Sequence, residues 1–326
     1  MRSKILVLIL AVLSVECMFI QPAAGVEYPS KPIEVLVPYT PGTSVDVIFR
    51  IVAEIAPKYL GQPVVIINKP GAGGSVAAGE VISSKPDGYK LITLTNFFFA
   101  TTIKTQKVPF DQGDLIPIAN FMEFKHGFAV RGDSPWKTFG DVLDYAKKNP
   151  GKLRWGHHGR GVTTHLNGLL IFRKAGVETI DVPFKGSPEM LAAVLGGHLD
   201  IGVFANGAIS DHLKAGKLRY LVFFSDRRYS DQPEVPNGLE LGFTSVPKLM
   251  TYFGVYAHKN TPEEIRKHLV DVFTKKIFMD PEVKKGIERA GETPRLEGPE
   301  FIVEAIKRGE EVGVPILKEL GLYVQK

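Results

Sequence analysis

Short apolar runs alternate with amphipathic stretches along most of this chain, and that alternation narrows the fold more than any single residue does. Residues 33–37 read as a short buried strand. After a Pro/Gly turn, Val45, Ile48, Phe49, Val52 and Ala56 recur at helical spacing, with Ser44 placed to cap the helix. Residues 64–67 make a second strand, a Gly-rich turn leads into a helix over about 75–84, and 90–95 make a third strand. This β-loop-α order, repeated, predicts parallel strands joined by crossover helices. Ligands then bind at loops beyond the carboxyl ends of the strands.

Periodicity weakens over residues 110–126 and then restarts. A helix is expected over 138–148, a strand at 153–156 and an amphipathic helix over 164–174. Short strands follow near Ile180, at 199–204 and at 218–224, and another at 252–258. Three helical segments begin near Pro262, Pro281 and Pro299, where proline suits the first helical position. The chain is long enough for two cores. Two α/β lobes are therefore the natural reading.

The first residues bear on compartment. Arg2 and Lys4 precede an apolar run over 5–15, too short to span about 30 Å of hydrocarbon but suited to a secretory signal. Ala23, Ala24 and Gly25 supply small side chains for cleavage after Gly25, giving a signal peptide over 1–25 and a periplasmic protein. Cys17 follows Glu16, which does not fit a lipobox, and it is the single cysteine. The mature chain therefore has no disulfide and no thiolate chemistry. The formal charge of +5 is scattered, with no basic block or nucleic-acid motif.

Two loops of the first lobe stand out, residues 38–46 and 68–75. Each places glycine and hydroxyl residues where a helix begins: Tyr39, Gly42, Thr43, Ser44 and Asp46 in one, Gly73, Gly74 and Ser75 in the other. Free backbone N–H groups and the helix dipole favour an anion there. The plainer alternative is two ordinary β-α turns with Ser44 and Ser75 as caps. Cofactor patterns fail: Gly71-Ala72-Gly73 starts like a dinucleotide fingerprint, but Val76 occupies the third glycine position. There is no phosphate loop and no Gly-x-Ser-x-Gly elbow. No cofactor and no catalytic residue is expected.

The second lobe offers residues 155–165, again running from a strand into a helix. His157, His158 and His165 have no zinc-motif spacing and no acidic partner within the loop, so no metal site is expected. Arg160 has the planar fork that matches a carboxylate, or is an ordinary loop arginine. Phe97, just past the third strand, either lines a ligand or packs between lobes.

Taken together these segments resemble the Bug/TctC family, the extracytoplasmic binding proteins of tripartite tricarboxylate transporters. The resemblance begins at residues 28–33 and runs through 37–46, 60–65, 68–74 and 86–89. In the second lobe it includes 182–187, 196–200 and 215–219. It implies a two-lobed type II periplasmic-binding-protein fold, each lobe a mixed sheet flanked by helices. Lobe 1 would comprise 27–127 plus 249–326, and lobe 2 would comprise 128–248. It further implies a non-enzymatic monomer that closes on a small organic carboxylate, such as a dicarboxylate or an aromatic acid, and delivers it to membrane transporter subunits. A sensing subunit, or a hydrolase built on the histidine loop, are the competing readings.

By the same resemblance, the 38–46 and 68–75 loops hold one carboxylate, and Thr163 and Thr164 contact the ligand from the second lobe. The chain departs from the family at Gly42-Thr43, where Gly-Gly is usual, and at His157, His158 and Arg160, where small residues are usual. His157 or Arg160 would meet the distal end. Ala205 follows Phe204 where an acidic residue is frequent, which argues against a ligand amino group there.

Overall fold

The computed structural model describes residues 28–324. The expected export segment, with Cys17 and the cleavage point after Gly25, lies outside them.

Two mixed sheets organise the described residues. In the first, β1 (Ile33–Val37) lies between β2 (Val64–Asn68) and β3 (Lys90–Thr95), all parallel. β10 (Tyr252–His258) runs antiparallel to β3 and to β4 (Leu115–Glu123), and β11 (Thr293–Glu297) closes the edge, giving the order β11-β4-β10-β3-β1-β2. In the second, β6 (Arg154–His157) is parallel to β7 (Ile180–Pro183) and β8 (Ile201–Ala205). There β5 (His126–Arg131) is antiparallel to β8 and β9 (Leu218–Phe223), in the order β7-β6-β8-β5-β9.

Helices cover both sheets. α1 (Ser44–Ile55) buries Val45, Ile48, Phe49 and Val52 against the core that also holds Val35 and Val37. The one-turn α2 (Pro57–Leu60) ends at Gly61 in the left-handed conformation and turns the chain into β2. α3 (Ser75–Ser83) packs Ala77, Ala78 and Val81 on the opposite face, beside the short α4 (Asn96–Ala100). The second sheet carries α5 (Phe139–Lys148), α6 (Thr163–Ala175), α7 (Ser187–Leu195) and α8 (Asn206–Lys214). α9 (Glu263–Val272), α10 (Pro281–Arg289) and α11 (Pro299–Glu319) return to the first sheet. Pro281 and Pro299 open their helices as expected, whereas Pro262 is the residue before α9 begins.

Three strands escape the periodicity. β4 is buried almost continuously, so no alternation marks it, and Pro117 and the buried Asn120 interrupt its apolar character. The Asn120 side chain donates to the Arg295 carbonyl of β11 at 2.6 Å, a partner that only the tertiary pairing supplies. β5 and β11 are equally unmarked.

Strand directions decide where the loops meet. Glu123 ends β4 opposite Tyr252, the start of β10, so β4 finishes on the same edge as β1, β2 and β3. After two linking residues His126 starts β5 opposite Ala205, the end of β8. The carboxyl edges of the two sheets therefore face each other across Phe124 and Lys125. β9 also ends on that edge, with Phe223 opposite Gly127, and residues 224–251 lead back to β10. Along one flank an apolar seam joins the halves, in which Leu166 of α6 packs with Phe97, Ala100, Leu249 and Ile316.

Candidate ligand cleft

Helices α1, α3, α6 and α8 each begin at one of the two facing edges, and none of the four has a side chain capping its first turn. α4 shows the contrast: Thr95 Oγ1 accepts the Phe98 N–H at 3.0 Å. Uncapped N–H groups combined with the positive dipole end make anion sites. Ser44 and Ser75, expected as caps, are instead the first helical residues, and Thr43 and Gly74 hold the cap positions. Their hydroxyls turn elsewhere: Ser44 Oγ lies 3.3 Å from Glu292 Oε1, and Ser75 Oγ accepts from Gln106 Nε2 at 2.7 Å.

The 38–46 loop is tied down by Asp46. Its carboxylate accepts Gly42 N–H and Asn68 Nδ2–H, each at 2.9 Å, and a fork from Arg50 at 3.0 and 3.1 Å. Asn68 also donates to the Tyr39 carbonyl at 3.1 Å, so the knot reaches from β2 to the end of β1. Burial would raise the Asp46 pKa, but the bonds from Arg50, Gly42 and Asn68 outweigh it and hold the carboxyl below its ordinary value. Asp46 is thus an organiser with 1% exposure, not a ligand contact. The Gly42 N–H expected at the ligand is turned to Asp46, and the Thr43 hydroxyl donates to the Thr40 carbonyl at 3.2 Å. Tyr39 is half-buried against Phe253, and burial pushes its phenol well above the ordinary range.

Across β2, Gly71, Ala72, Gly73 and Gly74 all have positive φ, a run that glycine adopts freely and Ala72 does not. Gln106 clamps it through the Ala72 carbonyl at 3.1 Å, leaving Gly73 exposed.

In the second half the loop before α6 is braced by Asp181 of β7. His157 Nε2 lies 3.1 Å from Asp181 Oδ2, Arg160 donates to Oδ1 at 3.1 Å, and His165 Nε2 is 3.9 Å from Oδ2. Ligand atoms of His157, His165 and Asp181 lie within 4.8 Å of one another, close enough for a metal. The tautomer opposes it. His165 Nδ1 accepts the Gly161 N–H at 3.1 Å, so the neutral ring carries its hydrogen on Nε2, the atom turned to Asp181. A metal would need that lone pair. The cluster reads as imidazole and guanidinium donors around one carboxylate.

Several expected contacts change role for this reason. His157 and Phe204 have no exposed surface, so they cannot touch a ligand directly; the Phe204 ring belongs to the second sheet's core. Arg160 is exposed but engaged with Asp181 within its own half. Phe97 is 3% exposed and packs in the apolar seam. His158 donates its N–H to Thr164 Oγ1 at 3.3 Å and places Nε2 2.9 Å from Ser187 Oγ. Burial pushes its pKa down to about 4, and Nδ1 has no partner. Thr163 begins α6 at 9% exposure, and Ala205 precedes α8 at 8%.

Three residues that sequence reading missed occupy this region. Asp181 is one. His126 is another, buried at the start of β5, with Nε2 unpartnered and its pKa pushed down to about 4 by burial. The third is Glu292, 4% exposed, which accepts the Lys125 backbone N–H at 3.1 Å and reaches Ser44. Asp181 lies in the four-residue β7, His126 opens β5 and Glu292 sits in the link before β11, and no period singles any of them out. Two surface hollows lie away from these helix starts. One, bordered by Phe99, Tyr256 and Ile306, is beside α11; the other, bordered by Lys31, Glu34 and Tyr89, is at the amino edge of the first sheet.

Comparisons with known proteins agree with this fold. The family model of the tripartite tricarboxylate transporter family receptor, TctC, matches residues 48–312. A Cupriavidus necator protein named as the UPF0065 protein in the gbd 5'region is 35% identical over 301 residues, covering 91% of this chain and 89% of its own length. A TctC solute-binding protein from Polaromonas superposes with a TM-score of 0.76 at 30% identity, covering 89% of this chain and 99% of its own. An R. palustris protein solved with adipate does so with a TM-score of 0.76 at 26% identity, covering 90% and 98%. Fold and sequence converge: the chain belongs to the TctC family of tripartite tricarboxylate transporter receptors, the Bug proteins.

Proposed function

We propose that this receptor captures a small organic carboxylate in the periplasm by closing its two lobes, 27–127 with 249–326 and 128–248, and presents it to transporter subunits. The observation that carries the reading is the set of uncapped helix starts on facing strand edges, with Ser44 beside one of them. The first turns of α1 and α3 hold the proximal carboxylate through N–H groups, with the Ser44 hydroxyl and the exposed Gly73 backbone; Thr163 and Thr164 approach from the other half. The adipate found in the similar R. palustris protein supports a carboxylate, dicarboxylates included. Among the described residues no helix is long and apolar enough to cross a membrane.

Ligand binding to the folded state stabilises it by about 2.7 kcal/mol at a hundredfold excess over Kd. A thermal-shift panel of mono-, di- and tricarboxylates and aromatic acids, with sugars as controls, tests the reading. A carboxylate that raises Tm is the expected result; a shift with sugars and none with carboxylates refutes it.

The Ser187–His158 contact favours a second reading, hydrolysis, because it pairs a hydroxyl with a base. The pair lacks a third group to orient the ring, since His158 Nδ1 has no partner, and a pKa of about 4 makes a weak base. Ester turnover abolished by Ser187→Ala would establish it.

A further inference from the structure

Glu292 is a buried acidic side chain behind Ser44, and its surroundings suit the neutral acid. Oε2 accepts the Lys125 N–H at 3.1 Å, which makes it the carbonyl oxygen. Ser44 Oγ–H donates to Oε1 at 3.3 Å when the carboxyl is ionised; in the neutral acid Oε1 carries the hydrogen and the direction reverses. Gly207, in the first turn of α8, closes the same space: a Cβ there would stand 3.5 Å from Oε1 and 2.4 Å from the Ala290 carbonyl. Asn206 adds a bond to the Gly291 carbonyl at 3.1 Å, so parts from both halves meet around this carboxyl.

The charged and titratable groups that face it are few. The Lys125 ammonium favours the ionised form but is bound to Asp231 at 2.7 Å and lies over the Tyr229 and Phe223 rings. The Tyr220 and Tyr229 phenols sense Glu292, and burial holds both well above their ordinary range. Burial outweighs the bonds from Lys125 and Ser44 and pushes the Glu292 carboxyl up to about 8.

We infer that Glu292 is a positioning residue that sets the polarity of Ser44 and thereby makes carboxylate capture fail at alkaline pH. While Glu292 is protonated it donates to Ser44 Oγ, and the serine hydrogen is free to point at the bound anion. Once Glu292 is ionised, Ser44 donates to it instead and turns lone pairs toward the ligand, with a new negative charge behind them. This inference rests on the proposed carboxylate function.

The test is calorimetric titration with adipate and malate, both predominantly dianions throughout, from pH 6 to 9.5. Any other acid active in the thermal-shift panel is titrated in the same way. Wild-type affinity is expected to fall at least about tenfold across a window centred near pH 8, the size of one charge-assisted hydrogen bond. Glu292→Gln, whose amide donates to Ser44 at every pH, is expected to give a flat profile. Ser44→Ala is expected to bind more weakly at pH 6, and with a flat profile. Infrared difference spectra of ligand-free wild type against Glu292→Gln should show a protonated-carboxyl carbonyl band at pH 6 that is lost by pH 9.5. A missing band, a flat wild-type profile or a Glu292→Gln profile that falls like wild type overturns the inference while leaving carboxylate binding intact. If no carboxylate binds at either pH, the proposed function itself is overturned.

Discussion

Asp46 illustrates how one residue works at a distance from the ligand. It collects donors from its own helix, from Gly42 before it and from Asn68 on the neighbouring strand. Asp46→Ala leaves the Gly42 and Asn68 groups to seek water and should cost about 1–3 kcal/mol in urea unfolding. It should also weaken carboxylate binding by freeing the 38–46 loop. Arg50→Ala, which removes an exposed partner, should cost less. The places of Ser44, Gly73, Thr163 and Thr164 at or beside helix starts were legible because hydroxyls and glycines there have a local meaning. The roles of Asp181 and Glu292 were not, because their partners come from segments distant in sequence: Glu292 lies 248 residues from Ser44 and 167 from Lys125.

The elements divide in the same way. Strands β1, β3 and β10 and helices α1, α5 and α6 carry a period or a cap and were readable. α5 has a complete capping box, Thr138 with Asp141. Thr138→Ala should lower stability by about 1 kcal/mol in urea unfolding without altering ligand affinity, because α5 lies away from the facing edges. β4 and β5 were unreadable because burial on both faces erases alternation, and β11 because every residue of this edge strand is half-buried. The start of α8 is the element-level test of closure. Gly207→Ala puts a Cβ 2.4 Å from the Ala290 carbonyl, backbone that cannot swing away. It should hold the halves apart, lower carboxylate affinity and enlarge the ligand-bound radius of gyration in small-angle scattering.

Opposing proton linkages run through the whole molecule. His126, His158 and His165 are kept neutral, their pKa values pushed down to about 4 by burial. Below their ordinary value of 6.5 the unfolded chain takes up protons that the folded chain does not, so stability falls as pH drops from about 6.5 toward 4. Glu292 acts in the opposite sense. Between its ordinary 4.5 and about 8 the folded chain holds a proton that the unfolded chain has lost, so stability falls as pH rises through that window, by an amount on the order of a few kcal/mol. Urea unfolding from pH 4 to 9 should show both declines in wild type. Glu292→Gln should lose the alkaline decline and retain the acidic one.

From its sequence alone this protein commits to alternating strands and helices, to Gly- and hydroxyl-rich helix starts in loops 38–46 and 68–75, and to a TctC-type whole. These are local matters: apolar spacing sets which face of an element is buried, and glycine and serine set how a helix begins. Strand direction, by contrast, arises only when β4 pairs with β10 and β5 with β8, and it is this pairing that turns two carboxyl edges toward each other. The same assembly diverts Arg160 and His157 to Asp181, and it buries Glu292 behind Ser44. A side chain's charge and hydrogen-bond polarity depend on which neighbours exclude water from it, and those neighbours are brought together only by folding.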